Sequence, residues 1–165
     1  MTMTSLIRSG LLAASMLMAA HAALAHDDAT LDRMKAPHGG QLRAAGSLHY
    51  ELVLAPMGTQ GAALPVAVYL TDHGGNPVPS QGATGTVTLL GQGQKTQVKL
   101  APAGDNLLKG EGAYQPGPAL KAIVSVSPKG LPAAQARFTP YAAPAKQPEH
   151  AHDHAGHGSH GAHRH

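Results

Sequence analysis

The segment "SLHYELVLAP" (residues 47–56) carries the pattern that decides the fold class. Apolar side chains such as Leu48 and Leu52 alternate with His49 and Glu51, so the two sets project from opposite faces of an extended chain. Proline closes the segment, and glycines and a further proline follow it. Alternation bounded by Gly and Pro predicts a half-buried β-strand.

Six further segments show similar short runs between turn residues, and none of the intervening stretches predicts a long helix. The three-residue "GQG" at 91–93 is predicted to close a hairpin. The resulting seven strands, about ten residues apart, predict an all-β fold: an immunoglobulin-like antiparallel β-sandwich of about seven strands. A small closed barrel is the alternative. The six segments are 63–72, 83–91, 95–102, 106–114, 120–128 and 133–141.

The first residues have the features of an export signal. Residues 1–25 hold one charge, Arg8, then an apolar run and small residues at a cleavage position. We expect cleavage after Ala25, with Ala22 and an uncleaved membrane anchor as alternatives. With no cysteine in the chain, the expected location is the periplasm, with no membrane insertion after cleavage.

Four parts follow the signal peptide. Residues 26–46 form an N-terminal leader, which includes the "HGG" loop and holds at most one helical turn. Residues 47–139 form the β-domain, and residues 140–149 form a Pro- and Ala-rich linker expected to be extended. The His-rich tail (residues 150–165) has too little apolar surface to form a core, so we expect it to be disordered.

The His-rich tail holds seven histidines within its sixteen residues. Neutral imidazole suits copper, nickel, cobalt and zinc, so the tail predicts binding of such ions. Its irregular spacing fixes no geometry, and ordering it costs about 1–2 kcal/mol per residue, so moderate and promiscuous binding is expected. A purification tag and a solvated end without a role are the alternatives. The predicted ligands are His150, His152, His154, His157, His160, His163 and His165.

A second candidate ligand is His26, which cleavage after Ala25 would make the first residue. Its α-amine and imidazole would then chelate one ion, as Cu(II) favours. An arbitrary residue in a flexible leader is the alternative.

A third candidate group lies in "PHGGQLRAAGSLHYEL" (residues 37–52). His49 and Glu51 are two residues apart on one strand and therefore share a face. Glycines follow His38 and permit a close backbone approach, so a loop could bring His38 over that face. A His/His/Glu set would suit zinc, copper, nickel or cobalt. A loop histidine beside an exposed strand pair is the alternative, and His73 is predicted to be a solvated turn residue.

These motifs carry a resemblance over residues 36–138. The "HGG" loop leads into a strand with a His-x-Glu step, and two characteristic turns follow it. The chain thereby resembles a family of small periplasmic immunoglobulin-like domains associated with the adaptor subunits of heavy-metal RND efflux pumps. The matching turn residues are Asp72, Gly75 and Pro77, then Leu100, Pro102, Gly104 and Asp105.

The resemblance implies a β-sandwich in a metal-resistance setting, ligand roles for His38, His49 and Glu51, and an RND-type efflux adaptor as partner. Coiled-coil and lipoyl-like segments of a full adaptor are missing, so this chain is not expected to bridge a pump and a channel itself.

Two functions of different classes follow from these patterns. The first is a periplasmic protein that binds transition-metal ions (Cu, Ni, Co or Zn) and buffers or delivers them beside an efflux system. The second is a non-catalytic β-sandwich that docks on an envelope efflux component, with the tail as an accessory. The chain lacks G-x-S-x-G and phosphate-loop motifs, so we do not expect an enzyme. A metalloenzyme with a site at His26 is a distant third hypothesis. Scattered basic residues and a 3% aromatic content argue against nucleic acid.

Overall fold

The computed structural model describes residues 28–143, which form one short helix and eight antiparallel strands. The all-β prediction is therefore confirmed. The elements are α1 (Asp28–Leu31), β1 (Gln41–Ala45), β2 (Leu48–Leu54), β3 (Leu64–Asp72), β4 (Thr84–Gly91), β5 (Gln94–Pro102), β6 (Leu107–Gly112), β7 (Lys121–Ser127) and β8 (Ala134–Phe138).

All eight strands belong to one sheet with the order β1-β2-β3-β6-β5-β4-β7-β8. We call β1, β2, β3 and β6 the first half-sheet, and β4, β5, β7 and β8 the second half-sheet. The halves join where β5 pairs with β6 through only two residue pairs, beginning at Ala101 and Lys109. At the other end β1 approaches β8, and Gln41 Oε1 accepts a hydrogen bond from Thr139 N (2.9 Å). The sheet is thus nearly closed on itself.

This strand order does not support the finer prediction of an immunoglobulin-like sandwich. Such a domain keeps its strands in two separate sheets, whereas here one sheet curls around a shared core. The arrangement lies nearer to the small closed barrel that the sequence also allowed.

The core is built from the inward-facing side chains of both half-sheets. Val66, Val68 and Leu70 of β3 alternate with more exposed residues and are fully buried, as period-two patterning requires. Val87 and Val124 face them from the second half-sheet. The core therefore fixes which face of each strand is outward, and so where the polar side chains of β2 lie.

The structure differs from the sequence-based expectation at one strand and at one turn. Residues 41–45, which the sequence places in the leader, pair with β2 as strand β1; Arg43 and two alanines weaken the apolar alternation there. The β4–β5 hairpin closes through the two residues Gln92 and Gly93 rather than three, both with positive φ, as a type I′ turn requires.

The helix α1 matches the single helical turn expected in the leader, and Leu31 buries against β1. No helix within residues 28–143 is long and apolar enough to cross a membrane.

The start of the predicted linker is anchored to the domain. Tyr141 donates a hydrogen bond to the carbonyl oxygen of Ala55, and Tyr114 donates one to that of Pro65. Burial raises the pKa of Tyr141 to about 12, with the neighbouring Tyr114 contributing. The β-domain therefore extends at least to residue 141, slightly beyond the predicted boundary at 139.

Candidate metal centre

The outer face of β2 is unusual because its polar side chains are buried. His49 is 5% exposed and Glu51 is 3% exposed, although both point away from the core. Strand β1 flanks them on one side, and on the other Thr71 and Tyr69 of β3 lie opposite. Buried polar groups need hydrogen-bond partners, and these partners define the candidate site.

Glu51 receives three hydrogen bonds from the "HGG" loop. Its Oε1 accepts from His38 N (2.8 Å) and Gly40 N (3.0 Å), and its Oε2 lies 2.8 Å from His38 Nδ1. One carboxylate thus satisfies two backbone donors and one ring nitrogen. The loop thus brings His38 onto the face that carries Glu51, which is one of the two arrangements that the sequence allows.

This contact fixes the protonation pattern of the His38 ring. An ionised carboxylate can only accept hydrogen bonds, so Nδ1 of His38 must carry the proton and donate it to Glu51. In the neutral ring the lone pair then resides on Nε2. The side chain is 40% exposed, and no hydrogen bond to Nε2 occurs within residues 28–143. The geometry therefore presents a metal-competent nitrogen.

The His38 ring is also held from its face. It stacks on Tyr69 with ring centroids 3.5 Å apart and an interplanar angle of 2°. Because Tyr69 lies opposite Glu51 in the β2–β3 register, one strand pair sets both the tilt and the rotation of the ring. Tyr69 could not be identified from the sequence as a partner of His38, because the two residues are distant along the chain.

The two loop glycines have separate tasks. Gly39 has φ of +76°, a left-handed conformation that glycine adopts without strain. Gly40 lies so close to β2 that a Cβ there would overlap the carbonyl oxygen of Leu52 and approach Val53 Cγ2 within 2.9 Å. The first glycine turns the chain, and the second lets its N–H reach Glu51.

His49 is not part of this group. Its ring lies against that of His73, with centroids 4.7 Å apart and planes tilted by 31°. His73 Nε2 also lies 3.3 Å from the carbonyl oxygen of Gly46, to which it can donate. His73 is exposed, as expected of a turn residue, but its contact with His49 was not predicted.

The predicted His/His/Glu set is therefore only partly assembled. Among residues 28–143, no three His, Asp or Glu side chains lie close enough to share one ion. The reason is local. Both carboxylate oxygens of Glu51 accept hydrogen bonds from the loop, and the ring of His49 packs on that of His73. His38 and Glu51 are brought together, and His49 is not brought to them.

Two other carboxylates are committed elsewhere. Arg43 donates to Asp32 from Nη1 at 2.6 Å, and this hydrogen bond lowers the pKa of Asp32. Asp72 accepts hydrogen bonds from the side chain and backbone of Asn76, which lower its pKa as well. Both arrangements fix the chain path and leave these groups poorly suited as ligands.

His26 and the seven predicted ligands of the His-rich tail lie outside the part of the chain that the structure describes. Their ligand roles, and the signal peptide, stay predictions.

Comparison with family models, with characterised proteins and with solved structures gives no match to this chain. The family resemblance and the efflux setting therefore stay predictions that rest on the sequence motifs.

Proposed function

We propose that this chain is a periplasmic transition-metal-binding protein that buffers or delivers copper, nickel, cobalt or zinc ions, in a setting of heavy-metal efflux or resistance. The observation that carries the proposal is the pairing of His38 Nδ1 with the buried Glu51 carboxylate at 2.8 Å. Metal-ligating histidines commonly donate their second ring nitrogen to a carboxylate in this way.

In this proposal Glu51 orients the ligand and does not itself coordinate the ion. Its oxygens are occupied by His38 and Gly40, and breaking those bonds would release the loop. His38 Nε2 supplies one fixed, partly exposed ligand. One imidazole cannot hold an ion tightly, so further ligands are required, and the His-rich tail carries seven imidazoles.

A site with one fixed ligand and several exchangeable ligands suits the transfer of metal ions better than their storage. The tail captures ions without fixed geometry, and His38 provides one ligand whose position the domain sets. A site that is completed by exchangeable ligands can release its ion to a partner with more ligands. An RND-type efflux adaptor is the partner class that the sequence motifs favour.

The test is a double-mutant cycle in the full chain with Zn(II), Ni(II) and Cu(II). One variant is His38→Asn, and the other replaces all seven tail histidines by asparagine. With the tail histidines present, we expect His38→Asn to raise the Kd of the most tightly bound metal ion about tenfold. With the tail histidines replaced, the same substitution should change that Kd little. Equal effects in both backgrounds would show that His38 and the tail do not share an ion.

Two further variants sharpen this cycle. His73→Asn is the matched control, because it removes an exposed imidazole that packs on His49 and lies outside the His38–Glu51 pair; we expect unchanged affinity. In Glu51→Gln the new amide can donate a hydrogen bond to His38 Nδ1, and the ring proton then moves to Nε2. Because a protonated Nε2 has no lone pair for a metal ion, the metal affinity should fall as in His38→Asn. If no domain variant alters binding, the docking-module alternative is favoured.

A further inference from the structure

Charged side chains are distributed unevenly between the two half-sheets, and the outer surface of the second half-sheet is positive. Strands β4, β5, β7 and β8 contain no Asp or Glu. They expose Lys95, Lys99, Lys121 and Arg137, and none of these forms an ion pair within residues 28–143. By contrast, the first half-sheet carries Glu and Asp residues on three of its four strands. The positive charge is thus concentrated on one face.

The strand register places two apolar side chains among these cations. Leu90 is 36% exposed and lies opposite Lys95 on one neighbouring strand and Lys121 on the other. Ile123, two residues after Lys121, lies opposite Arg137. An apolar centre with a charged rim is the usual composition of a protein–protein contact surface.

This part of the face is concave. A groove of about 430 Å³ is lined by Leu90, Lys121, Ile123 and Arg137, and Asp28 and Arg43 also line it. Asp28 is 65% exposed on its side chain, and one of its oxygens lies 3.6 Å from Arg43 Nε. Arg43 also binds Asp32, so it offsets Asp28 only in part. The residues that line the groove nevertheless carry a net positive charge, because Lys121 and Arg137 add two cations.

We infer that this groove docks an acidic segment of a partner protein, with one apolar side chain of that segment between Leu90 and Ile123 and carboxylates on Lys121 and Arg137. Charge complementarity selects the acidic partner. The concave shape favours a peptide segment over an anionic membrane, because a groove lined by Leu90 and Ile123 can surround one side chain of a peptide. The inference does not depend on metal binding.

The test uses the full chain and a fluorescent peptide with one leucine between four glutamates. Its matched peptide has glutamine in place of glutamate, and a third has serine in place of leucine. Measurements are made at low ionic strength and above the usual imidazole pKa of about 6.5, so that tail histidines are neutral. We expect the glutamate–leucine peptide to bind about tenfold tighter than either relative, with affinity falling as salt rises.

The combined variant Lys121→Glu and Arg137→Glu should abolish this preference. The matched control is Lys109→Glu, which reverses one exposed cation on β6, in the first half-sheet. If charge reversal impairs folding, Lys121→Gln with Arg137→Gln replaces it. Equal loss in the Lys109 variant, or equal binding of the glutamine peptide, would overturn the inference. Binding to phosphatidylglycerol vesicles without peptide binding would also overturn it, in favour of a membrane surface.

Discussion

Replacing Glu51 by alanine should lower the free energy of unfolding by about 3 kcal/mol. The carboxylate is buried and accepts from His38 N, Gly40 N and His38 Nδ1, and its removal leaves these donors without their partner. Equilibrium urea unfolding of the full chain measures the change. The loop should also become more accessible, which hydrogen exchange at Gly40 N would report.

Glu111→Ala provides the matched control for this substitution. Glu111 is an exposed residue of β6, and its side chain forms no hydrogen bond or ion pair in the described part of the chain. Its removal should change stability by no more than about 0.5 kcal/mol. If Glu51→Ala were equally mild, the carboxylate would not be what holds the "HGG" loop on β2.

The substitution Gly40→Ala should cost about 3 kcal/mol or more, whereas its neighbour Gly39→Ala should cost about 1 kcal/mol. A methyl group at residue 40 would overlap the backbone of β2 at Leu52, which cannot move without disturbing the sheet. At Gly39 nothing lies within 4 Å of the new methyl group, so only the strain of the left-handed conformation remains.

The two alanine variants differ by a single residue position and are compared by thermal or urea unfolding. The Gly40 variant should also lose protection at His38 N, because the loop is pushed away from Glu51. Equal costs at the two positions would mean that conformational freedom, and not close approach, explains both glycines.

Much of the fold could be predicted from the sequence because alternation and turn residues are local signals. All seven predicted strand segments contain a strand, β2 to β8. Strand β1 was missed because Arg43 and two alanines weaken its alternation, and its role depends on pairing with β2. Strand order was not predictable, because the joining of β5 to β6 and the approach of β1 to β8 depend on long-range packing.

The candidate site was predictable only in part, for a similar reason. The spacing of His49 and Glu51 correctly gave a shared outward face, and the glycines correctly indicated a close loop. Periodicity does not report rotamers, however, so the capture of Glu51 by loop N–H groups could not be foreseen. The stacking partner Tyr69 and the contact of His49 with His73 require knowledge of the β2–β3 register and the following turn.

The most direct test of the proposed site is an NMR measurement of the histidine ring nitrogens in the ¹⁵N-labelled full chain during Zn(II) addition. The His38 signals are assigned by their absence in His38→Asn. We predict that His38 Nδ1 carries the proton before and after addition, and that Nε2 shifts to the position of a metal-bound nitrogen. Shifts confined to the tail histidines, with both His38 nitrogens unchanged, would contradict a ligand role for His38 and its orientation by Glu51.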